Sequence, residues 1–278
     1  MNGSSYRDLP DPPDTRQTGI VTASLVWWDE PPETLRECVL GAARVCDRIV
    51  AVDGAYRRYP GATPRSPEGQ AEAIRAAAEE AGIGCLVIQP DRLWAGQVEK
   101  RTHAVNAASI GSDWIAVVDA DHVIAADRQE ARSALAAVPP GVPVVSVRMT
   151  TPPDPSRPLS QTSATGWHHG MALEDMRYDH LFRALPGLRV ERFHWWYSAI
   201  VDGRRRWVSR GEATGGTMVV PLTCRYVVEH RTHTRDEAHI LAGRAFCNDR
   251  VLVVARTGQE DDAPGLPEPV FDYATVPY

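Results

Sequence analysis

The chain has 278 residues, of which 43% are hydrophobic and 24% charged, with a formal net charge of -6. That length and apolar share support a real core in one large α/β domain or two small ones, and the acidic balance argues against a dedicated nucleic-acid binder, which would carry a basic stripe. The five cysteines (Cys38, Cys46, Cys85, Cys224 and Cys247) form no C-x-x-C pair, which points to free thiols in a reducing compartment and not to a disulfide framework.

In chain order, Met1 to Thr18 is polar and rich in Pro and Asp, so it is read as a disordered segment and not as a signal peptide. Ile20 to Val26 is a short β-rich apolar run. Pro31, Pro32, Glu33 and Thr34 then open a helix with Leu35, Val39, Leu40, Ala43 and Val45 as its apolar or small positions. Arg48 to Val52 is a second apolar run, stopped by the turn signal Asp53-Gly54. Pro67 to Ala81 is rich in Ala and Glu and predicts a helix ended by Gly82. Cys85 to Ile88 predicts a third strand, Glu99 to Ser109 a helix, and Trp114 to Val118 a fourth strand running into Asp119-Ala120-Asp121. A helix over Asp127 to Val138 and a strand over Pro143 to Met149 complete the first half. Continuously apolar strands separated by helices imply a mostly parallel sheet covered on both faces, with ligands bound beyond the carboxyl ends of the strands. The Asp-bearing turns after Val52 and Val118 belong at that edge.

From Thr150 the pattern turns irregular, with Pro152, Pro153, Pro155 and Pro158 close together, and Trp167, His168, His169, His194, Trp195, Trp196 and Tyr197 concentrated beyond them. This half reads as an elaboration lining one side of a site. A last helix is expected over Asp236 to Asn248, followed by the apolar run Val251 to Val254. The expected organisation is a segment 1–18, one domain over 19–257 with a ligand-binding half 19–149 and an acceptor-side half 150–257, and a tail 258–278. No apolar run approaches the roughly 18 residues of a membrane span, so a soluble cytoplasmic protein is expected.

The pattern D-x-D carries the chemistry. Two carboxylates at i and i+2 on a strand-exit turn can converge on one hard divalent cation, and a bound diphosphate needs such a cation to offset its charge. The competing reading is a solvated turn or a cap for the next helix. The segment Gly111-Ser112-Asp113-Trp114-Ile115-Ala116-Val117-Val118-Asp119-Ala120-Asp121 resembles the D-x-D region of family 2 glycosyltransferases and their GT-A relatives. Ile49 to Gly54 is similar to the second strand of that fold with its Asp, Ile20 to Leu25 to its first strand, and Lys100, Arg101 and Asn106 to its basic helix. Leu181-Phe182-Arg183, then Pro186 to Val190 and His194, resembles a later segment, and the likeness spans roughly residues 19 to 250.

The resemblance implies a Rossmann-like GT-A fold and transfer of a sugar from a nucleotide-diphosphate sugar to an acceptor hydroxyl, with Mn²⁺ or Mg²⁺ as cofactor. It implies that Asp53 contacts the nucleoside, that Lys100 and Arg101 pair with donor phosphates, that Asp119 and Asp121 hold the metal with Asp119 also near the donor, and that a later His joins them. His230 fits by following the apolar run Tyr226 to Val228, with His233 and His239 as alternatives. An inverting reaction needs a general base, for which Glu174 and Asp175 are the candidates and His194 the runner-up. The family often places an acid directly after that His, and Trp195 stands there instead. The expected acceptor is soluble: a protein side chain, a metabolite or a glycan. A nucleotidyltransferase is the alternative, although it would want a Gly-rich loop where Trp27-Trp28-Asp29-Glu30 stands, and an inactive GT-A domain acting as a binding module is another.

Overall fold

The computed structural model describes residues 19–57, 59, 61–150, 176–192, 196–209 and 219–231. The first half alternates as the hydrophobic runs predict: β1 (Val21–Val26), α1 (Pro32–Ala42), β2 (Arg48–Val52), α2 (Gln70–Glu80), β3 (Gly84–Ile88), α3 (Gln97–Ser109) and β4 (Trp114–Asp119). Every residue of β1 is buried, which is why its sequence shows no polar alternation. Strands β2 and β4 flank β1 in parallel, and the register sets Val26 opposite both Val52 and Asp119. The turns that carry Asp53 and Asp119 therefore leave the sheet side by side, one on each flank of β1.

Two layers of apolar side chains hold this arrangement. On one face α1 and α2 set Leu35, Val39, Ile74 and Ala78 against Leu25, Ile49 and Val118. On the other, α3 sets Ala104, Val105 and Ala108 against Val50, Ile115 and Val117. Each fully buried Leu or Ile here contributes about 1.5–3 kcal/mol. The helix α2 starts at Gln70 and not at Pro67, because Gly69 takes a left-handed φ of 91° and its N–H is closed by the Glu72 carboxylate at 3.1 Å.

Beyond β4 the chain turns back at once into β5 (His122–Ala126), then α4 (Arg128–Ala136), β6 (Val144–Thr150), β7 (Met176–Arg183), β8 (Arg189–Arg192), β9 (Trp196–Val201), β10 (Arg204–Trp207), β11 (Val219–Pro221) and β12 (Tyr226–His230). Helix α4 is capped by Asp127, whose Oδ1 accepts the Glu130 N–H at 2.8 Å. The main sheet runs β3-β2-β1-β4-β7-β6-β12-β5, with β11 alongside β6. It is parallel through β3-β2-β1-β4, after which β7 enters antiparallel between β4 and β6 and β12 pairs antiparallel with β5. The second half thus extends the same sheet where its sequence reads as irregular. Strands β8, β9 and β10 form a small antiparallel sheet of their own that packs on α3. The mostly parallel α/β sheet with flanking helices is consistent with the GT-A fold. No described helix is long and apolar enough to cross a membrane. The helix expected over Asp236 to Asn248, the run Val251 to Val254 and the terminal segments 1–18 and 258–278 lie outside the described residues.

Candidate active site

Strand β4 delivers Asp119 to the carboxyl edge of the sheet, and the Ala120-Asp121 turn reverses the chain into β5. The reversal is anchored by the Arg231 N–H, which donates to the Asp121 carbonyl at 2.7 Å. The β5–β12 register then places His122 directly opposite His230, and opposed residues in an antiparallel pair lie close enough for their side chains to meet. The two rings sit edge to face with centroids 5.4 Å apart. His230 Nε2 lies 3.2 Å from Asp121 Oδ2. One ligand atom each from Asp121, His122 and His230 falls within 4.8 Å of the others.

Asp119 is differently engaged. Its Oδ1 accepts from the Arg101 guanidinium at 2.5 Å, in a pair that is nearly closed to solvent on the arginine side. Burial works against the charge of Arg101, and the Asp119 carboxylate overrides it, so the guanidinium stays protonated with its pKa raised. The Asp119 N–H donates to His122 Nδ1 at 3.2 Å. Burial pushes the His122 pKa down to about 4, against the opposing pull of Asp119 and Asp121. His122 is therefore neutral at pH 7, and with Nδ1 accepting, its proton sits on Nε2.

Asp53 and Lys100 organise the loops beside this cluster. The buried Asp53 carboxylate accepts from the Gly54 N–H at 2.6 Å, Ser66 Oγ at 2.5 Å, the Ser66 N–H at 3.0 Å and Gln89 Nε2 at 3.1 Å. Gly54 must be glycine: its φ is 102° and a Cβ would meet the Pro64 carbonyl at 2.4 Å. Lys100 Nζ donates to the carbonyls of Trp27 and Gly54, both at 2.6 Å, and so ties the exits of β1 and β2 together. Burial pushes the Lys100 pKa down to about 7, with Asp53 opposing. The residues expected to meet the nucleoside and the phosphates thus lie at the expected edge, with Asp53 and Lys100 bonded into its loops and Arg101 bonded to Asp119.

Sequence reasoning brought Asp119, Asp121 and His230 to one place, and it missed His122. The signal was present, a His directly after the second Asp, but β5 itself was not recognised as a strand. Glu174, Asp175 and His194 lie outside the described residues, as do His233, His239, Trp167 and Trp195. Of the other aromatics, Tyr197 is core, 4.4 Å from Phe182 between ring centroids, and Trp196 turns the opposite way to meet Trp207 edge-on at 5.4 Å. One carboxylate and two imidazoles form a donor set that suits a divalent cation. Asp121 and His230 would hold such an ion in the first instance.

The fold and the cluster define a class: an α/β sheet whose carboxyl edge carries an acid–imidazole group beside two ordered loops. No family model and no curated protein sequence matches the chain. Among solved structures, the chain is similar to glucosyl-3-phosphoglycerate synthase from Mycobacterium tuberculosis, in complex with Mn²⁺, uridine diphosphate and glucosyl-3-phosphoglycerate, at 13% identity and a TM-score of 0.42, covering 88% of this chain and 82% of that one. It is also similar to mannose-1-phosphate geranyltransferase from Thermus thermophilus, at 15% identity and a TM-score of 0.25, covering 76% of this chain and 55% of that one.

Proposed function

We propose that the chain is a metal-dependent glycosyltransferase that moves a sugar from a nucleotide-diphosphate sugar to the hydroxyl of a soluble acceptor. The observation that carries this reading is the Asp121–His230 pair, 3.2 Å apart, at the carboxyl edge of a sheet where a diphosphate would lie beside the β1 and β2 exits. A divalent ion, Mn²⁺ or Mg²⁺, would bind Asp121 and His230 and offset the charge of the leaving diphosphate. Around it, Asp53 and Lys100 hold the β1 and β2 exit loops in the shape that receives a nucleoside. Asp119, fixed by Arg101, presents its carboxylate toward the donor. Glu174, Asp175 and His194 are the candidates for the base that takes the acceptor proton, should the reaction invert the anomeric centre.

The test is a thermal-shift panel of nucleoside diphosphates with and without Mn²⁺, on wild type and Asp121→Ala. A ligand that binds only the native state raises its apparent stability by mass action. The expected result is one nucleotide that stabilises wild type in the presence of metal alone, with the shift lost in Asp121→Ala. A nucleotide shift that is independent of metal and of Asp121, or no shift from any nucleotide, rules the reading out.

A further inference from the structure

The main sheet ends in two unlike edges. At one, β5 is packed under α1, with Gly41 against the Ile124 backbone. At the other, β3 pairs in parallel with β2 and, among the described residues, has no strand on its outer side. We propose that the outer edge of β3 is the interface of a homodimer, in which a second copy of the chain adds its own β3 antiparallel about a two-fold axis beside Leu86 and continues the sheet from one molecule into the other. The proposal is independent of the transferase reading and goes beyond it.

The chemistry of the strand comes first. Ile83-Gly84-Cys85-Leu86-Val87-Ile88 holds no charge and no proline, and its register with β2 runs from Gly84 to Ile88 without a bulge. Solvent-facing edges are ordinarily blunted by one of those devices, because a bare row of N–H and C=O groups templates further pairing. Gly84, Cys85 and Leu86 are all exposed. Leu86 shares a face with Ile88, which packs into the α3 layer, yet Leu86 itself remains 52% exposed. Symmetry then selects the partner's register. Five residues pair with the same five reversed in fullest overlap when Leu86 meets the partner's Leu86. Such an isologous contact closes as a dimer and uses up the free edge of β3. Charge favours a second copy over a foreign strand. Helix α2 flanks β3 and carries the exposed residues Glu72, Arg75 and Glu79, alternating in sign. Arg75 lies close enough to Cys85 to oppose the upward push of burial on its thiol. The axis is normal to the sheet, so α2 meets the partner's α2 on the same face and reversed. A helix residue level with Cys85 then comes level with the partner's Val87, one turn nearer the helix start. Arg75 thus faces the partner's Glu72, and Glu72 the partner's Arg75. The intrachain Arg75–Glu72 pair, 3.2 Å apart, becomes part of a four-membered network with no like charges opposed. Since the two β3 strands run in opposite directions, the two candidate active sites open at opposite ends of the dimer.

The experiment is analytical ultracentrifugation of the full chain from micromolar to tens of micromolar. Wild type is expected to sediment with twice the mass of one chain. Leu86→Lys sets a charge on the pairing edge at an exposed position, so it is expected to sediment as a monomer with the circular dichroism of wild type. Arg75→Glu opposes like charges across the axis and should weaken the dimer by roughly threefold or more, and adding Glu72→Arg to it should restore the wild-type affinity. A covalent readout does not depend on those variants. Residues directly opposed in an antiparallel pair bring their Cα atoms within about 4.5–5.5 Å, inside the range a disulfide spans. Mild oxidation of the double variant Cys85→Ser, Leu86→Cys should therefore give a disulfide-linked dimer, which Cys85→Ser alone should not. A wild type that stays monomeric throughout overturns the proposal, and is the result expected if another protein or another segment of this chain covers β3. A dimer that survives Leu86→Lys, or no cross-link in the double variant, overturns it as well.

Discussion

The two acids of D-x-D look alike in sequence and are held in opposite ways in the structure. Asp119 is the counter-ion of a buried arginine, while Asp121 faces a histidine whose neutral form can donate to it. Replacing each by Asn separates the two roles. Asp119→Asn leaves Arg101 buried without its partner, and breaking such a pair costs about 3–5 kcal/mol. Asp121→Asn keeps an acceptor for His230 and sheds a buried charge, so its cost in stability is expected below about 1 kcal/mol. Metal affinity should move the other way, collapsing in Asp121→Asn. Urea unfolding and metal titration on the same two variants read both quantities, and equal losses of stability would show that the Arg101 pair does not bear on Asp119 as described.

At the scale of elements, the placement of β5 decides where His122 goes, and β5 is set by its contact with α1. Gly41 lies inside α1, where Ala would ordinarily be favoured by about 1 kcal/mol. Here a Cβ would come within 2.7 Å of the Ile124 backbone N and 3.3 Å of the Val123 side chain. A backbone atom cannot swing aside as a side chain does, so the clash outweighs propensity. Gly41→Ala is expected to destabilise by about 1–3 kcal/mol and to weaken Mn²⁺ binding by shifting β5. A rise in melting temperature would show that α1 and β5 can separate without cost. The same strand marks the limit of what the sequence discloses. The elements β1, β2, β3, α3, β4, α4 and β6 were legible within a residue or two, because parallel strands read as unbroken apolar runs and the helices carry their own start signals, such as Asp127; the start of α1 was legible at Pro32, but its apolar pattern runs on to Val45, past the end of the helix at Ala42. Strand β5 was not legible, since His122-Val123-Ile124-Ala125-Ala126 is short and follows β4 after a two-residue turn. The strands β7, β8 and β10 were hidden because polar and charged residues such as Asp179, Arg204, Arg205 and Arg206 interrupt them, and β7 in addition takes its partners β4 and β6 from distant parts of the chain. The resemblance assigns Lys100 to phosphate, and its bonds to the carbonyls of Trp27 and Gly54 depend on how α3 meets the loops after β1 and β2, which spacing along the chain does not encode.

Over the whole molecule, the first half supplies Asp121 and His122 and the second supplies His230, so the cluster exists only when β12 is docked between β5 and β6. That docking is read out by His180, which is fully buried on β7 and shares a 2.9 Å hydrogen bond with the Tyr226 hydroxyl of β12. Burial, reinforced by His122, pushes the His180 pKa down to about 3, whereas an unfolded chain gives His about 6.5. The sign follows from proton counting. Between about pH 3 and pH 6.5 the unfolded state binds a proton that the folded state does not, so stability rises with pH across that window, is complete above it, and is lost as the pH falls through it. One such proton contributes a slope of up to about 1.4 kcal/mol per pH unit. His180→Gln keeps a partner for Tyr226 and cannot titrate. In chelator, urea unfolding of wild type should therefore lose stability on acidification more steeply than His180→Gln, the two curves converging as the pH falls from 6.5. His122, whose pKa is pushed down to about 4, adds its own slope to both proteins, and because it also acts on His180 the difference between them includes the coupling of the two rings. Parallel curves would mean that the folded chain accommodates a charged His180, and hence that β12 opens to water at this edge. In that case the second half would not hold His230 firmly enough to complete the cluster.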